Sequence, residues 1–283
     1  LNTIEFGDCR AIMRQWDADG IKAQTCVTSP PYFGLRDYGH EGQIGLEQTP
    51  EEYIDAMVDV FRCVRDVLAD DGTLWLNIGD SYDRNKNRRL IPARVAIAMQ
   101  FDGWLLRDEI VWHKPRTTPS PVVDRTCAAH EMIYMFTKSP KYYYDYLAIE
   151  EASLSAGKTV RHVRGQQSAT PGVDAKYAGR DVVVRDTRRK RSVWSVSPSP
   201  YKGAHFATFP TALIEPCILA GSRVDDIVLD PFMGSGTTAQ VAIENGRQYL
   251  GCELNSEYKA LQDERIGKAV RSIEMQNAQE QLF

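Results

Sequence analysis

Apolar positions recur along this chain in two alternating rhythms. Short runs rich in apolar and β-branched residues predict strands at "TIEF" (3–6), "AQTCVT" (23–28), "GTLWLNIG" (72–79), "LLRDEIVWH" (105–113), "HEMIYMFTKS" (130–139), "DIVLD" (226–230) and "QYLGCE" (248–253). Between several of them the spacing becomes helical, over 50–69, 90–102, 210–220, 237–245 and 256–272. The first of these helices lines up Tyr53, Ile54, Met57, Val60, Phe61, Val64 and Leu68 on one face. Alternation of this kind predicts an α/β fold, a mostly parallel twisted sheet covered by helices on both faces. In such sheets ligands bind at the carboxyl ends of the strands, so the residues just after each strand are the first candidates for chemistry.

From Ser153 to Pro200 the rhythm stops. Large apolar side chains become sparse, Gly, Ser and Arg become frequent, and the stretch ends in the turn-rich "SVSPSP" (195–200). It reads as an insertion on the α/β body. Between Ala152 and Val193 it carries ten Lys or Arg against three Asp, so it is about +7 in a chain whose net charge is -4. A basic insert in an otherwise acidic protein points to a polyanionic partner whose phosphates it neutralises.

The remaining composition narrows the class. With 43% hydrophobic and 25% charged residues in 283, the chain has the make-up of an ordinary globular protein of one large domain or one domain with an insertion. No apolar run approaches the ~20 residues of a membrane span, and "LNTIEFGDCR" lacks a signal pattern, so a cytoplasmic protein without a membrane partner is expected. Six scattered cysteines without a C-x-x-C pair argue for reduced, mostly buried thiols and against a zinc site or a disulfide framework.

The run "DIVLDPFMGSGTTAQVAIENGRQYLGCELN" carries the clearest chemistry. A strand ends at Asp230, a loop with Gly234 and Gly236 leads into a helix near Thr237, and the next strand ends at Glu253, 19 residues beyond Gly234. Glycines that let the backbone approach a ligand, followed about 20 residues on by a carboxylate for ribose hydroxyls, form a nucleoside-binding βαβ unit. Ala239 stands where the third glycine of that fingerprint admits alanine. A carboxylate at the mouth of the loop, Asp230, repels a pyrophosphate but suits an ammonium group. A ligand with adenosine at one end and an amino acid at the other is therefore expected, which is S-adenosylmethionine.

A second strand end, "TSPPYFG" (28–34), sets a hydroxyl, two prolines and a ring at the same predicted edge. Proline has no N–H and a fixed φ, so such a loop is stiff and its carbonyls are free to accept hydrogens from a ligand's amino group. Ser29 and the Pro30 carbonyl are the candidate acceptors, and the Tyr32 ring is the candidate platform for a planar base.

These two stretches resemble the amino-methyltransferases of DNA, in the group whose "SPPY" motif precedes the "DPFMGSGTT" motif in the chain. "FGDCRAIM", "EIVWHKP", "HEMIYMFTKSPKYYYD" and "HFATFP" (205–210) are similar to further segments of that family. The resemblance implies a Rossmann-like fold, with residues 1–150 and 201–283 as the catalytic and cofactor-binding parts of one methyltransferase domain and 151–200 as a basic target-recognition insertion. It implies catalytic roles for Ser29, Pro30, Pro31 and Tyr32. It implies cofactor contacts from Asp8 near the adenine, from Pro231, Phe232, Gly234, Ser235, Gly236 and Thr237 in the loop, from Asp230 and Glu253, and from Phe209 over the methionine part. Arg36, Lys114, Arg161, Arg164, Arg188, Arg189 and Arg191 are the candidate DNA contacts, with the glycine-spaced loop 33–45. Ser before the double proline goes mostly with cytosine N4 in that family and Asp with adenine N6, so Ser29 favours cytosine. The methyl passes directly to the amine of a flipped base, with no metal. The candidate partners are double-stranded DNA and a second copy of the chain as a homodimer.

Three alternatives stay open at this point: an adenine-N6 enzyme of the same family, an RNA or protein-amide methyltransferase, and a catalytically silent DNA-binding protein. Against the last stands the presence of Ser29, Pro30, Pro31, Tyr32 and Asp230 together. The Pro-Cys pair at Pro216 and Cys217, reminiscent of a carbon-5 cytosine nucleophile, lies in a predicted helix upstream of the cofactor loop and reads as packing.

Overall fold

A computed structural model describes residues 1–37, 39–40, 42–117, 121–161, 181–198 and 209–280. Its main sheet is built from β1 (Thr3–Phe6), β2 (Ala23–Thr28), β3 (Leu68–Ile78), β4 (Leu105–His113), β5 (His130–Thr137), β10 (Val193–Ser195), β11 (Ile227–Asp230) and β12 (Gln248–Glu253). These eight strands lie in the order β1-β12-β11-β2-β3-β5-β4-β10. All neighbours are parallel except β5, which runs antiparallel to both β3 and β4. The carboxyl ends of seven strands thus share one edge with the amino end of β5. This is the mostly parallel sheet that the apolar rhythm predicts, with the Rossmann-like character that the resemblance implies.

The helices form where the pattern and the caps require them. Helix α1 (Cys9–Ala18), which the periodicity did not reveal, starts where the Asp8 carboxylate accepts from Arg10 N at 2.8 Å. It buries Cys9, Met13 and Trp16. Helix α2 (Pro50–Val67) opens on a reciprocal cap in which Thr49 Oγ1 accepts from Glu52 N and the Glu52 carboxylate accepts from Thr49 N, with Pro50 in the first turn. Its apolar stripe, Tyr53, Ile54, Met57, Val60, Phe61 and Val64, is buried. Helices α3 (Ile91–Phe101), α4 (Thr211–Gly221), α5 (Thr237–Glu244) and α6 (Lys259–Glu280) complete the layers. Strand β2 is buried at every position, as a central parallel strand must be. Cys217 is buried in α4 with its thiol toward the Leu213 carbonyl, consistent with a packing role.

Residues Tyr146–Arg191 form a compact unit of their own, separate from Leu1–Asp145 with Ser192–Phe283. Within it β6 (Glu151–Ala152) pairs with β9 (Thr187–Arg188), and β7 (Thr159–Arg161) pairs with β8 (Asp181–Val183), both antiparallel. Strand β10 lies inside the stretch expected as insertion, yet it belongs to the large sheet because its three residues pair with Val111, Trp112 and His113 of β4. Among the described residues no helix is long and apolar enough to cross a membrane.

Candidate active site

Two loops that lie about 200 residues apart in sequence leave adjacent strands of the sheet. β2 pairs with β11, so Thr28 and Asp230 end side by side. Thr28 Oγ1 donates to Asp230 Oδ1 at 2.6 Å, Phe232 N donates to the same oxygen at 3.0 Å, and Thr238 Oγ1 donates to Oδ2 at 2.6 Å. One carboxylate therefore ties the end of β2, the glycine loop and the first turn of α5. Burial pushes the Asp230 carboxyl up to about 6, against the pull of its three donors. Its residue is 1% exposed, so it lies beneath the loop rather than at an open mouth. Both oxygens have protein donors, which tie the loop to the end of β2 and to α5.

Glu253 closes the other side of the loop. Its Oε2 accepts from Gly234 N at 2.7 Å and its Oε1 from Asn255 N at 2.8 Å, and the Leu254 backbone adds a further donor. Burial raises its pKa, with the backbone donors at Asn255 and Gly234 opposing. Gly234 and Gly236 have φ of +52° and +86°, left-handed values that other residues rarely take. Gln262 of α6, which no sequence signal marked, buttresses the turn by donating to the Gly234 carbonyl at 2.7 Å. Pro231 is buried, and Phe232 is half-buried beside it. Ser235 Oγ and Thr237 Oγ1 are buried without a hydrogen-bond partner among the described residues. Two orphaned hydroxyls, a glycine turn and the Glu253 carboxylate fit the nucleoside and amino-acid ends of S-adenosylmethionine.

Asp8 follows β1 at the same edge, and Gly7 N donates to the Glu253 carbonyl at 2.8 Å. The Arg10 guanidinium bonded to Asp8 holds its carboxyl below the usual range. Phe209, half-buried, precedes the Pro210 cap of α4; positions 205–208 of the same motif lie outside the described residues.

The "SPPY" loop is stiff and internally bonded. The Pro31 carbonyl accepts from the Tyr53 hydroxyl at 2.9 Å, whereas no hydrogen bond reaches the Pro30 carbonyl among the described residues. Ser29, half-buried, donates to the Tyr32 hydroxyl at 3.3 Å. That hydroxyl in turn lies 2.8 Å from Glu131 Oε2 and 3.2 Å from Asn77 Oδ1. The Tyr32 ring lies against Gly79, where an added Cβ would come within 2.4 Å of it. Burial, then the Glu131 charge, raises the Tyr32 phenol well above its ordinary range.

Glu131 is a functional candidate that sequence reasoning missed. It is the second residue of β5, and only the antiparallel course of that strand brings it to the edge where the other strands end. Lys114, expected on DNA, ion-pairs with Glu131 and sits 4.2 Å from the centre of the Trp112 ring. Its charge is matched there because β4 and β5 are neighbours, so a phosphate that engages Lys114 would compete with Glu131. Arg36 is half-buried at the start of the glycine-spaced loop, in which Gly34 N donates to the Gly45 carbonyl at 2.8 Å.

In the basic unit, Arg188 and Arg191 both reach Glu151 Oε1, at 2.9 and 2.7 Å, and the Arg189 guanidinium lies 4.8 Å over the Tyr146 ring. Arg161 belongs to β7, and Arg164 lies outside the described residues.

A glycine loop with its acidic partner, joined by one carboxylate clasp to a Ser-Pro-Pro-Tyr loop at the edge of a Rossmann-like sheet, defines the class of nucleoside-cofactor methyltransferases. The DNA methylase family profile matches residues 23–264, and the chain belongs to that family. The chain is 42% identical over 291 residues to the type II methyltransferase M.SmaI of Serratia marcescens, covering 93% of this chain and 90% of that protein. It is 40% identical to M.Cfr9I of Citrobacter freundii, covering 90% and 84%. Among solved structures, PvuII DNA methyltransferase (cytosine-N4-specific) superposes with a TM-score of 0.67 at 23% identity over 93% of this chain and 85% of that one, a likeness of fold. The Thermus thermophilus protein TTHA0409, solved in complex with S-adenosyl-L-methionine, superposes with a TM-score of 0.63 at 26% identity over 95% and 96%.

Proposed function

We propose that this chain transfers a methyl group from S-adenosylmethionine to the exocyclic N4 of cytosine in double-stranded DNA, with the target base turned out of the helix stack. The observation that carries this reading is the Thr28–Asp230 bond at 2.6 Å, because it anchors Ser29, the next residue, beside the cofactor loop. When bound, S-adenosylmethionine supplies an electrophilic methyl on a sulfonium. Glu253 accepts from its ribose hydroxyls, Asp8 serves the adenine, and Ser235 and Thr237 give their unpartnered hydroxyls to its polar groups. Gly234, Gly236, Pro231 and Phe232 shape the turn, and Phe209 covers the methionine end.

The amine of cytosine is a poor nucleophile because its lone pair is delocalised into the ring. Ser29 Oγ and the Pro30 carbonyl accept its hydrogens and draw the nitrogen toward a tetrahedral, nucleophilic geometry. The Ser29 hydroxyl already donates to Tyr32, so its lone pairs are available for that task. The Tyr32 ring stacks the extruded base. Arg36 and the loop 33–45, with Arg161, Arg164, Arg188, Arg189 and Arg191 of the basic insertion, contact the duplex, and the insertion reads the target sequence. The type II methyltransferases among the relatives support a role in restriction-modification.

The test is direct. Labelled S-adenosylmethionine and duplex DNA are incubated with the protein, and the digested nucleosides are separated. Label in N4-methylcytosine is expected; label in N6-methyladenine overturns the cytosine reading, and label on neither base overturns the DNA amine as substrate.

A further inference from the structure

Methylation of an amine releases a proton, and the site holds a bonded route for it. Ser29 Oγ donates to the Tyr32 hydroxyl at 3.3 Å, and the Tyr32 hydroxyl donates to Glu131 Oε2 at 2.8 Å. Asn77 Nδ2 donates to the same Glu131 oxygen at 3.3 Å and to the Met132 carbonyl at 3.2 Å, which fixes the carboxylate on its strand. The other oxygen pairs with Lys114. Glu131 and Lys114 side chains are 18% and 20% exposed, so the end of the chain is shielded yet has access to water.

We propose that Ser29, Tyr32 and Glu131 form a proton relay that removes the amine proton during methyl transfer, with Glu131 as its terminal acceptor. This rests on the function proposed above. The nitrogen–carbon bond forms as the sulfur–carbon bond breaks, with that electron pair remaining on sulfur. One N–H proton passes to Ser29 Oγ, the serine proton to the Tyr32 oxygen, and the tyrosine proton to Glu131. The sulfonium ends as a neutral thioether, the base as a neutral methylamine and Glu131 as a neutral acid. Glu131 then returns its proton to water.

The tyrosine never ionises in this sequence, since it gains one proton as it gives up another. That suits a phenol whose burial makes the tyrosinate costly. Lys114 forms an ion pair with Glu131 from the strand next to it and holds its other oxygen in place. The groups facing Glu131 are the Lys114 ammonium from the end of β4, the Tyr32 phenol from the loop after β2 and the neutral Asn77 amide from β3.

Tyr32→Phe keeps the ring against Gly79 and deletes only the hydroxyl. Glu131→Gln keeps an oxygen for Tyr32 and Asn77 and deletes the proton acceptor. Each is expected to slow single-turnover methylation at least tenfold, with affinities for cofactor and for DNA within twofold of the parent. Because both act in one series, the double variant is expected to be no slower than the worse single one. In ligand-free protein the Tyr32 ¹³Cζ resonance, identified by its loss in Tyr32→Phe, is expected to move in Glu131→Gln. A full single-turnover rate in either single variant, multiplied losses in the double variant, or an unmoved Tyr32 resonance would overturn the relay. If methylcytosine still forms at the parent rate in these variants, the relay fails and the proposed function stands. If the parent itself makes no methylcytosine, it is the function that fails, and Tyr32→Phe keeps the relay testable should Glu131→Gln not fold.

Discussion

Asp230→Asn is predicted to make the protein more stable at neutral pH, although it alters the residue at the centre of the loop clasp. An isosteric amide can keep all three bonds. Its oxygen takes the place of Oδ1 and accepts from Thr28 and Phe232, while its nitrogen donates to Thr238 Oγ1, which then turns its own hydrogen toward the Val27 carbonyl at 3.4 Å. What disappears is a buried charge. In the unfolded chain this carboxyl titrates near 3.8, whereas in the fold burial lifts it to about 6. Between those values the folded protein keeps a proton that the unfolded chain has released. Stability therefore falls as pH rises from about 4 to about 6 and stays lower above. At about 1.4 kcal/mol per pH unit the full cost is about 3 kcal/mol, and roughly half of it arises between pH 5 and 7.5. Urea unfolding of both proteins without cofactor, at steps across that range, measures the gap. The stability of Asp230→Asn relative to the parent is expected to grow by about 1.4 kcal/mol from pH 5 to 7.5. A gap that stays flat would refute the claim that burial raises this group.

Three further substitutions separate the parts of the site. Ser29→Ala removes an acceptor that matters as the nitrogen becomes nucleophilic, so turnover is expected to fall tenfold or more with cofactor affinity within twofold; lost cofactor binding at an intact methyl-transfer rate would reverse the assignment. Glu253→Ala leaves the Gly234 and Asn255 N–H groups without their acceptor and removes the ribose contact. A loss of about 1.5–3 kcal/mol is expected, a ten- to hundred-fold weaker S-adenosylmethionine affinity by calorimetry, and unchanged affinity would exclude Glu253 from the cofactor. Gly79→Ala puts a methyl 2.4 Å from Tyr32 Cε2 and 2.8 Å from Cδ2, so the ring must leave its place. Stability is expected to drop by about 1–3 kcal/mol in urea and turnover to fall with it, whereas a fully active variant would mean that the ring position is unimportant.

Local pattern reveals much of this fold because a parallel sheet buries its strands on both faces and its helices on one. The strands from Ala23 to Thr28 and from Gln248 to Glu253 coincide with their apolar runs to the residue. Helix α1 escaped notice since its buried side is only Cys9, Met13 and Trp16, too narrow to stand out among polar neighbours. Glu131 escaped for a topological reason. A rule that looks after the carboxyl ends of strands passes over the first residues of β5, and nothing in "HEMIYMFT" states that this strand runs backwards. The pairing of Lys114 was hidden for the same reason, since its partner is that very glutamate.

Charge is legible in composition, but its pairing is not. Arg188 and Arg191 count as two of ten cations in the basic insert, yet they share one carboxylate, Glu151, 37 and 40 residues earlier in the chain. A phosphate that engages them must compete with that glutamate, so their contribution to DNA binding is smaller than their number suggests. Asp230 poses the converse case. In the sequence it stands beside a glycine loop and looks available, because the hydroxyl of Thr28 that covers it comes from 202 residues away. The order of the two motifs along the chain is then immaterial to the chemistry. What this arrangement requires is that β2 and β11 be neighbours, so that one buried carboxylate fixes both the loop after β2 and the glycine turn, and any permutation of the chain that preserves this pairing keeps Ser29 beside that turn.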